Sequence, residues 1–73
     1  MELKYIQKTR NGLKNGHKYV ANIYPPKNKI YVYNVHFLFD ITEQEEMDLT
    51  INYASMISLK HNFEFDKIEG EEE

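Results

Sequence analysis

Three histidines, twelve carboxylates and no cysteine bound the chemistry open to this chain of 73 residues. His17, His36 and His61 stand far apart, without the His-x-x-x-His or equivalent spacing that gathers zinc ligands. The Asp-x-Asp-x-Asp-Gly pattern of a calcium loop is missing as well. Glu43, Glu45, Glu46 and Asp48 are crowded together, but a general acid and base need surroundings that push two pKa values apart. Adjacent acids on a turn ordinarily form a solvated face. Ser55 and Ser58 lack the Gly-x-Ser-x-Gly frame that exposes a nucleophile, and neither Gly12 nor Gly16 leads into the Lys-Ser/Thr of a phosphate loop. Without cysteine there is no thiol nucleophile, thiolate ligand or disulfide. The expectation is a protein that is not an enzyme and takes no metal or cofactor.

What the chain does carry is separated charge. Residues 1–29 hold seven basic side chains and one acid, while residues 30–73 hold two basic side chains and eleven acids, so the listless net of −3 conceals a formal +6 against −9. Patches of opposite sign steer partners and fix their orientation, which is the physics of binding. Two sets of candidate contact residues follow. Asp40, Glu43, Glu45, Glu46 and Asp48, directly after the most aromatic stretch, form an acidic and aromatic surface suited to a protein with a basic face. Lys8, Arg10, Lys14, Lys18, Lys27 and Lys29, with Tyr5, Tyr19, Tyr24 or Tyr31 as stacking platforms, form the alternative, a grip on single-stranded nucleic acid. Each has a plainer counterpart: lysines that keep edge strands soluble over a tyrosine core, and acids that make a solvated turn. His36, beside Asn34 and Asp40, is a lesser candidate contact against the ordinary role of a hydrogen-bonded histidine.

These side chains need elements to hold them. Aromatic and β-branched residues interleave with polar ones over Tyr5–Thr9 and Lys18–Tyr24, which predicts two strands. Between them lie Asn11-Gly12 and Asn15-Gly16, each able to supply the positive φ of a tight turn, so the connection is expected to be long and irregular. Pro25 and Pro26 predict a loop over residues 24–29. Lys29–Ile41 is the clearest strand, with Tyr31, Tyr33, Val35, Phe37, Phe39 and Ile41 on the apolar face. Thr42 and Glu45 match a helix capping box, yet from Met47 to Leu59 the apolar residues recur every second position. Strand is therefore preferred there, with a helix near 43–59, and hence an α+β fold, as the alternative. Phe63–Ile68 alternates again. Tyr33, Val35, Phe37, Phe39, Leu49, Ile51, Tyr53, Phe63 and Phe65 are the predicted core, and ten aromatics must supply much of it in so short a chain.

The order of segments resembles small SH3-like barrels. The strand, the irregular loop with LKNGHKY (Leu13–Tyr19), the proline turn, the long aromatic strand, the acidic turn, a further strand, the Ser-rich Ser55–Ser58 and the short FEFDKI (Phe63–Ile68) follow that family's plan, in which one helical turn precedes the last strand. The resemblance covers nearly the whole chain and implies a mostly β fold: a small five-stranded SH3-like barrel or a strongly bent antiparallel sheet. The ALYDY run and paired tryptophans of the SH3 peptide groove are absent, so it does not imply PxxP binding.

Residues 1–69 read as a single domain and 70–73 as an acidic tail. The uncharged runs Ile30–Phe39 and Leu49–Leu59 reach about half of the ~20 apolar residues of a membrane helix. No secretory signal opens the sequence, so a cytoplasmic location without a membrane partner is expected. Eight lysines to one arginine, with abundant Asn and Ile, is the codon bias of an AT-rich genome, and short acidic proteins of this type are frequent in phages and mobile elements. The expected function is a non-enzymatic binding protein of that origin, modulating or inhibiting a host protein. Single-stranded nucleic-acid binding is the alternative, and association of opposite faces into a homo-oligomer a third.

Overall fold

Alternation begins earlier in the chain than the segment Tyr5–Thr9 suggested. The first strand, β1 (Glu2–Tyr5), sends Leu3 and Tyr5 into the core while Glu2 and Lys4 face out. It ends at Tyr5 because the chain opposite turns away there: Tyr5 N–H donates to the His17 carbonyl at 3.0 Å, and Gly16 N–H donates to the Tyr5 carbonyl at 2.8 Å. Beyond that point Ile6 N–H finds the Asn62 carbonyl, so residues 6–9 leave the ladder. The computed structural model describes residues 1–26 and 32–65.

β2 (Lys18–Tyr24) has the bounds its sequence predicts, and β3 (Tyr33–Asp40) lies within the predicted Lys29–Ile41 strand, of which 29–31 fall outside the described residues. β4 (Glu45–Tyr53) confirms the two-residue period as far as Tyr53 and excludes a helix over 43–59. The period then misleads. Ile57 and Leu59 belong to a helix, α1 (Met56–Asn62), started by Ser55, whose Oγ accepts the Ser58 N–H at 3.1 Å. The expected cap at Thr42 serves the sheet instead, its Oγ1 accepting the Lys18 N–H at 2.9 Å. β5 (Phe63–Glu64) follows, and the remainder of FEFDKI past Phe65 lies outside the described residues, as do the end of the domain and the acidic tail at 70–73.

All five strands pair antiparallel in one sheet, in the order β4-β3-β2-β1-β5. The fold is mostly β with one short helix, and of the two forms expected it is the open sheet, with β4 and β5 at its edges rather than joined into a barrel. Among the described residues no helix is long and apolar enough to cross a membrane.

One side of the sheet is sealed by Leu3, Tyr5, Leu13, Tyr19, Ala21, Val35, Phe37, Leu59 and Phe63. Phe63 is the hub: its ring centroid lies 5.5 Å from that of Tyr5, 5.5 Å from Tyr53 and 5.7 Å from Phe37, which in turn meets Tyr19 edge-on at 5.7 Å. Of the predicted core, Val35, Phe37 and Phe63 are fully buried, and Tyr33, Leu49, Ile51, Tyr53 and Phe65 pack against it part-buried. Phe39 does not join it. The core tyrosines also anchor the loop after β1, since Tyr5 donates its hydroxyl to the Lys8 carbonyl at 2.8 Å and the Tyr19 hydroxyl accepts the Lys14 N–H at 2.8 Å.

That loop folds around both Asn-Gly pairs. Arg10 and Leu13 exchange two backbone hydrogen bonds of 2.9 Å across Asn11 (φ 55°) and Gly12 (φ 87°), a two-residue turn with positive φ at both centres, which drives Leu13 into the core. Gly16 (φ 82°) turns the chain into β2. The two glycines allow a controlled comparison. A Cβ at Gly16 would meet nothing within 4 Å, whereas one at Gly12 would sit 3.2 Å from a Leu49 methyl. Gly16→Ala is expected to cost about 1 kcal/mol, the penalty of the backbone conformation alone, and Gly12→Ala more. Urea unfolding of the two variants measures the difference, which is the packing of the turn against β4.

Candidate functional site

The register between strands decides what each face shows. Residues opposite one another in an antiparallel pair share a face. Val35 and Phe37 lie across from Ile23 and Ala21 on the core side, but the register then steps by one, so that Phe39 stands opposite Val20 and Asp40 opposite Tyr19. A matching step separates Phe37↔Leu49 from Phe39↔Glu46 on the other flank. The consequence is an exchange of faces. Phe39, predicted inward, turns to the outer face, and Asp40, predicted as a contact residue, turns to the inner one.

On the outer face, one row now runs across four strands as Glu2, Val20, Phe39 and Glu46. Two apolar side chains are flanked on each side by a glutamate. Leu38, at the step itself, is 36% exposed beside them. The next row is Asn22, His36 and Thr50, and His36 Nε2 donates to the Asp48 carboxylate at 2.6 Å. Beyond it come Tyr24, 49% exposed, Asn34 and Asn52, the two amides bonded at 2.7 Å. An apolar centre with an acidic and amide border therefore covers the β2–β4 face.

The acidic set is thereby divided. Asp40 is buried, accepting from His17 Nδ1 at 3.0 Å and from the Glu43 N–H at 3.0 Å. Burial alone would raise its pKa, but the hydrogen bonds from His17 and from the Glu43 and Thr42 amides, with the charge of His17, hold it below the ordinary aspartate value. Glu43 pairs with Lys14 at 3.1 Å, which raises the pKa of that lysine. The pair is exposed and contributes little to stability. Glu45, Glu46 and Asp48 remain at the surface, Asp48 with 88% of its side chain exposed.

The basic set is divided too. Lys8 and Arg10 are exposed on the loop, Lys14 is engaged by Glu43, and Lys18 stands opposite Lys4 on the outer face of β1 and β2. Lys4 and Lys18 line an open pocket of about 270 Å³ with Glu2, Glu64, Leu3 and Phe65, so acids interrupt the cations there. Lys27, Lys29 and Tyr31 lie outside the described residues. Of the proposed stacking rings, Tyr5 and Tyr19 belong to the core, and Tyr24 is exposed. Among the described residues no three His, Cys, Asp or Glu side chains are grouped so as to hold a metal ion.

Sequence reasoning passed over Glu2, Val20 and the outward placement of Phe39. The only trace in the sequence is Asp40 itself, a charge that ends the run of alternating apolar residues. No family model, curated protein or solved structure matches the chain.

Asp40 sets a pH dependence. Its folded-state pKa lies below the unfolded value of about 3.9, so its interactions add stability above that value and lose it as pH falls through the lower, folded value. Asp40→Asn should flatten stability against pH below about pH 4 and lower it near neutrality by about 1–3 kcal/mol, the cost of a charged hydrogen-bond acceptor lost from a buried site. Urea unfolding midpoints of both proteins from about pH 7 to about pH 3 check this.

Proposed function

We propose that this chain is a non-enzymatic binding protein, encoded by a phage or mobile element, that modulates or inhibits a host protein through the outer face of β2–β4. The row Glu2, Val20, Phe39 and Glu46 carries the reading. A part-buried phenylalanine on the outer face of a sheet whose core is already aromatic adds nothing to that core. At an interface it has a role: aromatic side chains supply much of the binding energy, and charges around them set the encounter rate and the choice of partner. The glutamates on both flanks, with Glu45 and the exposed Asp48, fit a partner whose own patch is apolar with a basic border.

The lysine bias of the composition supports the proposed origin, and the absence of cysteine fits a reducing, cytoplasmic setting. α1 placed directly before β5 supports the SH3-like resemblance, although β4 and β5 leave the sheet open. The function rests on the face and not on that resemblance.

Affinity capture from host lysate after nuclease treatment, followed by binding kinetics on the captured partner, tests the reading. Phe39→Ala should weaken binding by about tenfold or more while the protein stays cooperatively folded, unlike Phe37→Ala, which opens the core. Replacing Glu43, Glu45 and Glu46 with Gln should slow association several-fold and blunt its salt dependence. A partner bound equally well by both variants overturns the reading. Capture that disappears with nuclease reassigns binding to Lys8, Arg10, Lys14 and Lys18 and a nucleic acid.

A further inference from the structure

β4 is the long edge of the sheet. It runs nine residues, against two for β5 at the opposite edge, and among the described residues its ladder is with β3 alone. Among the described residues, the backbone hydrogen bonds outside the ladders do not reach residues 45–53. A row of backbone N–H and C=O groups is therefore open to another strand.

The core side of the same edge is open as well. Val35 and Phe37 on β3 are fully sealed, yet the β4 residues beside them, Leu49 and Ile51, stay partly exposed, and so do Met47 and Tyr53. Four apolar side chains in a row keep a strip of surface that the described residues do not fully cover. On the alternate positions β4 carries Glu46, Asp48, Thr50 and Asn52, with Glu45 at its start. Its charge is entirely negative.

We propose that β4 takes up an extended, basic segment of a protein partner as a sixth strand of the sheet. The inference rests on the reading that the acidic end binds a basic partner, and it adds how that partner is held. One added strand would satisfy the open backbone groups, lay apolar side chains over Met47, Leu49 and Ile51, and set its other side chains beside Glu46 and Asp48. That geometry specifies the segment: apolar residues alternating with Lys or Arg. Acids on an edge strand also deter self-pairing, and a second copy of β4, which carries no Lys or Arg, would offer these carboxylates no cation in either strand direction. Charge thus selects a basic partner over a second copy of this chain.

The probe is a capped peptide of alternating Lys and Val, seven residues long, with a scrambled peptide of the same composition as control. Two further versions carry N-methyl groups on alternate residues, each blocking one edge of the peptide. The alternating peptide is expected to slow amide exchange in β4 and to bind more weakly as salt rises. Methylation of one edge should weaken binding by about tenfold or more, and methylation of the other should leave it unchanged. Glu46→Gln combined with Asp48→Asn should weaken it several-fold. Equal binding of the scrambled or of both methylated peptides would show attraction by charge alone and overturn the inference. So would absence of binding at low salt, or shifts confined to Val20, Leu38 and Phe39 with β4 exchange unchanged. Protection of β4 without peptide, in a protein that sediments as a dimer, would assign the edge to a second copy and overturn it too. None of these results touches the Phe39→Ala test with a captured partner, so the two proposals fail separately.

Discussion

A one-residue step in register at the middle of β3 governs both faces of this sheet. β3 is paired on both flanks, and the step occurs at the same level on each, between Val20 and Ala21 toward β2 and between Phe37 and Phe39 toward β4. Beyond it β3 is turned over relative to its own alternation, while β2 and β4 keep theirs. A phenyl ring that alternation would place in the core goes to the outer face, where it is part-buried, and a carboxylate that it would expose goes inside. Burying a charge is unfavourable by several kcal/mol unless it is paired and hydrogen-bonded. Asp40 meets that condition through His17 and the amide of Glu43, so the acidic turn and the loop before β2 must come together for the step to be stable.

The aromatic core makes that meeting rigid. Tyr5 and Tyr19 are buried to the ring, and each spends its hydroxyl on the backbone of the loop, at Lys8 and Lys14. Tyrosine does two things here that phenylalanine does only in part: it fills volume in a small domain and pins a segment that has no ladder of its own. With the loop fixed, His17 faces Asp40 and Lys14 faces Glu43. Part of the charge separation along the chain is therefore consumed within the molecule. Of the described candidate residues, Glu45, Glu46 and Asp48, the last bonded to His36, remain at the surface on one side and Lys8, Arg10 and Lys18 on the other.

Strands were legible where alternation ran long, whereas the short segment Tyr5–Thr9 misplaced β1, which is Glu2–Tyr5. β2 matched its predicted bounds, and β4 could be told from a helix by period alone, as far as Tyr53. The period continued past the strand only because Ile57 and Leu59 also fall two apart; in α1 Leu59 is buried while Ile57 is 81% exposed. The signal that the element had changed was Ser55, a capping residue that reads equally well as a polar strand position. Phe39 and Asp40 were illegible for a different reason. A register step is a property of two strands, and no feature of β3 by itself states how many residues its neighbours place opposite it. The candidate residues were named, but which of them face outward followed from pairing.

Area argues that the face and the edge act together. The outer face of β2–β4 spans three strands about 4.8 Å apart and about 24 Å of strand length, which is ~300 Å². A stable protein interface covers about 800 Å² on each partner. The face alone falls well short, and Val20, Leu38 and Phe39 fill only part of it. A strand added along β4 would extend the same sheet beyond Glu46 and Asp48, cover the open apolar strip beneath Met47, Leu49 and Ile51, and supply directional hydrogen bonds that a flat patch lacks. Glu46 and Asp48 belong to both surfaces. A basic side chain on the added strand and a basic border around the Phe39 patch would converge on the same carboxylates, which makes one continuous partner surface the arrangement that this charge pattern favours.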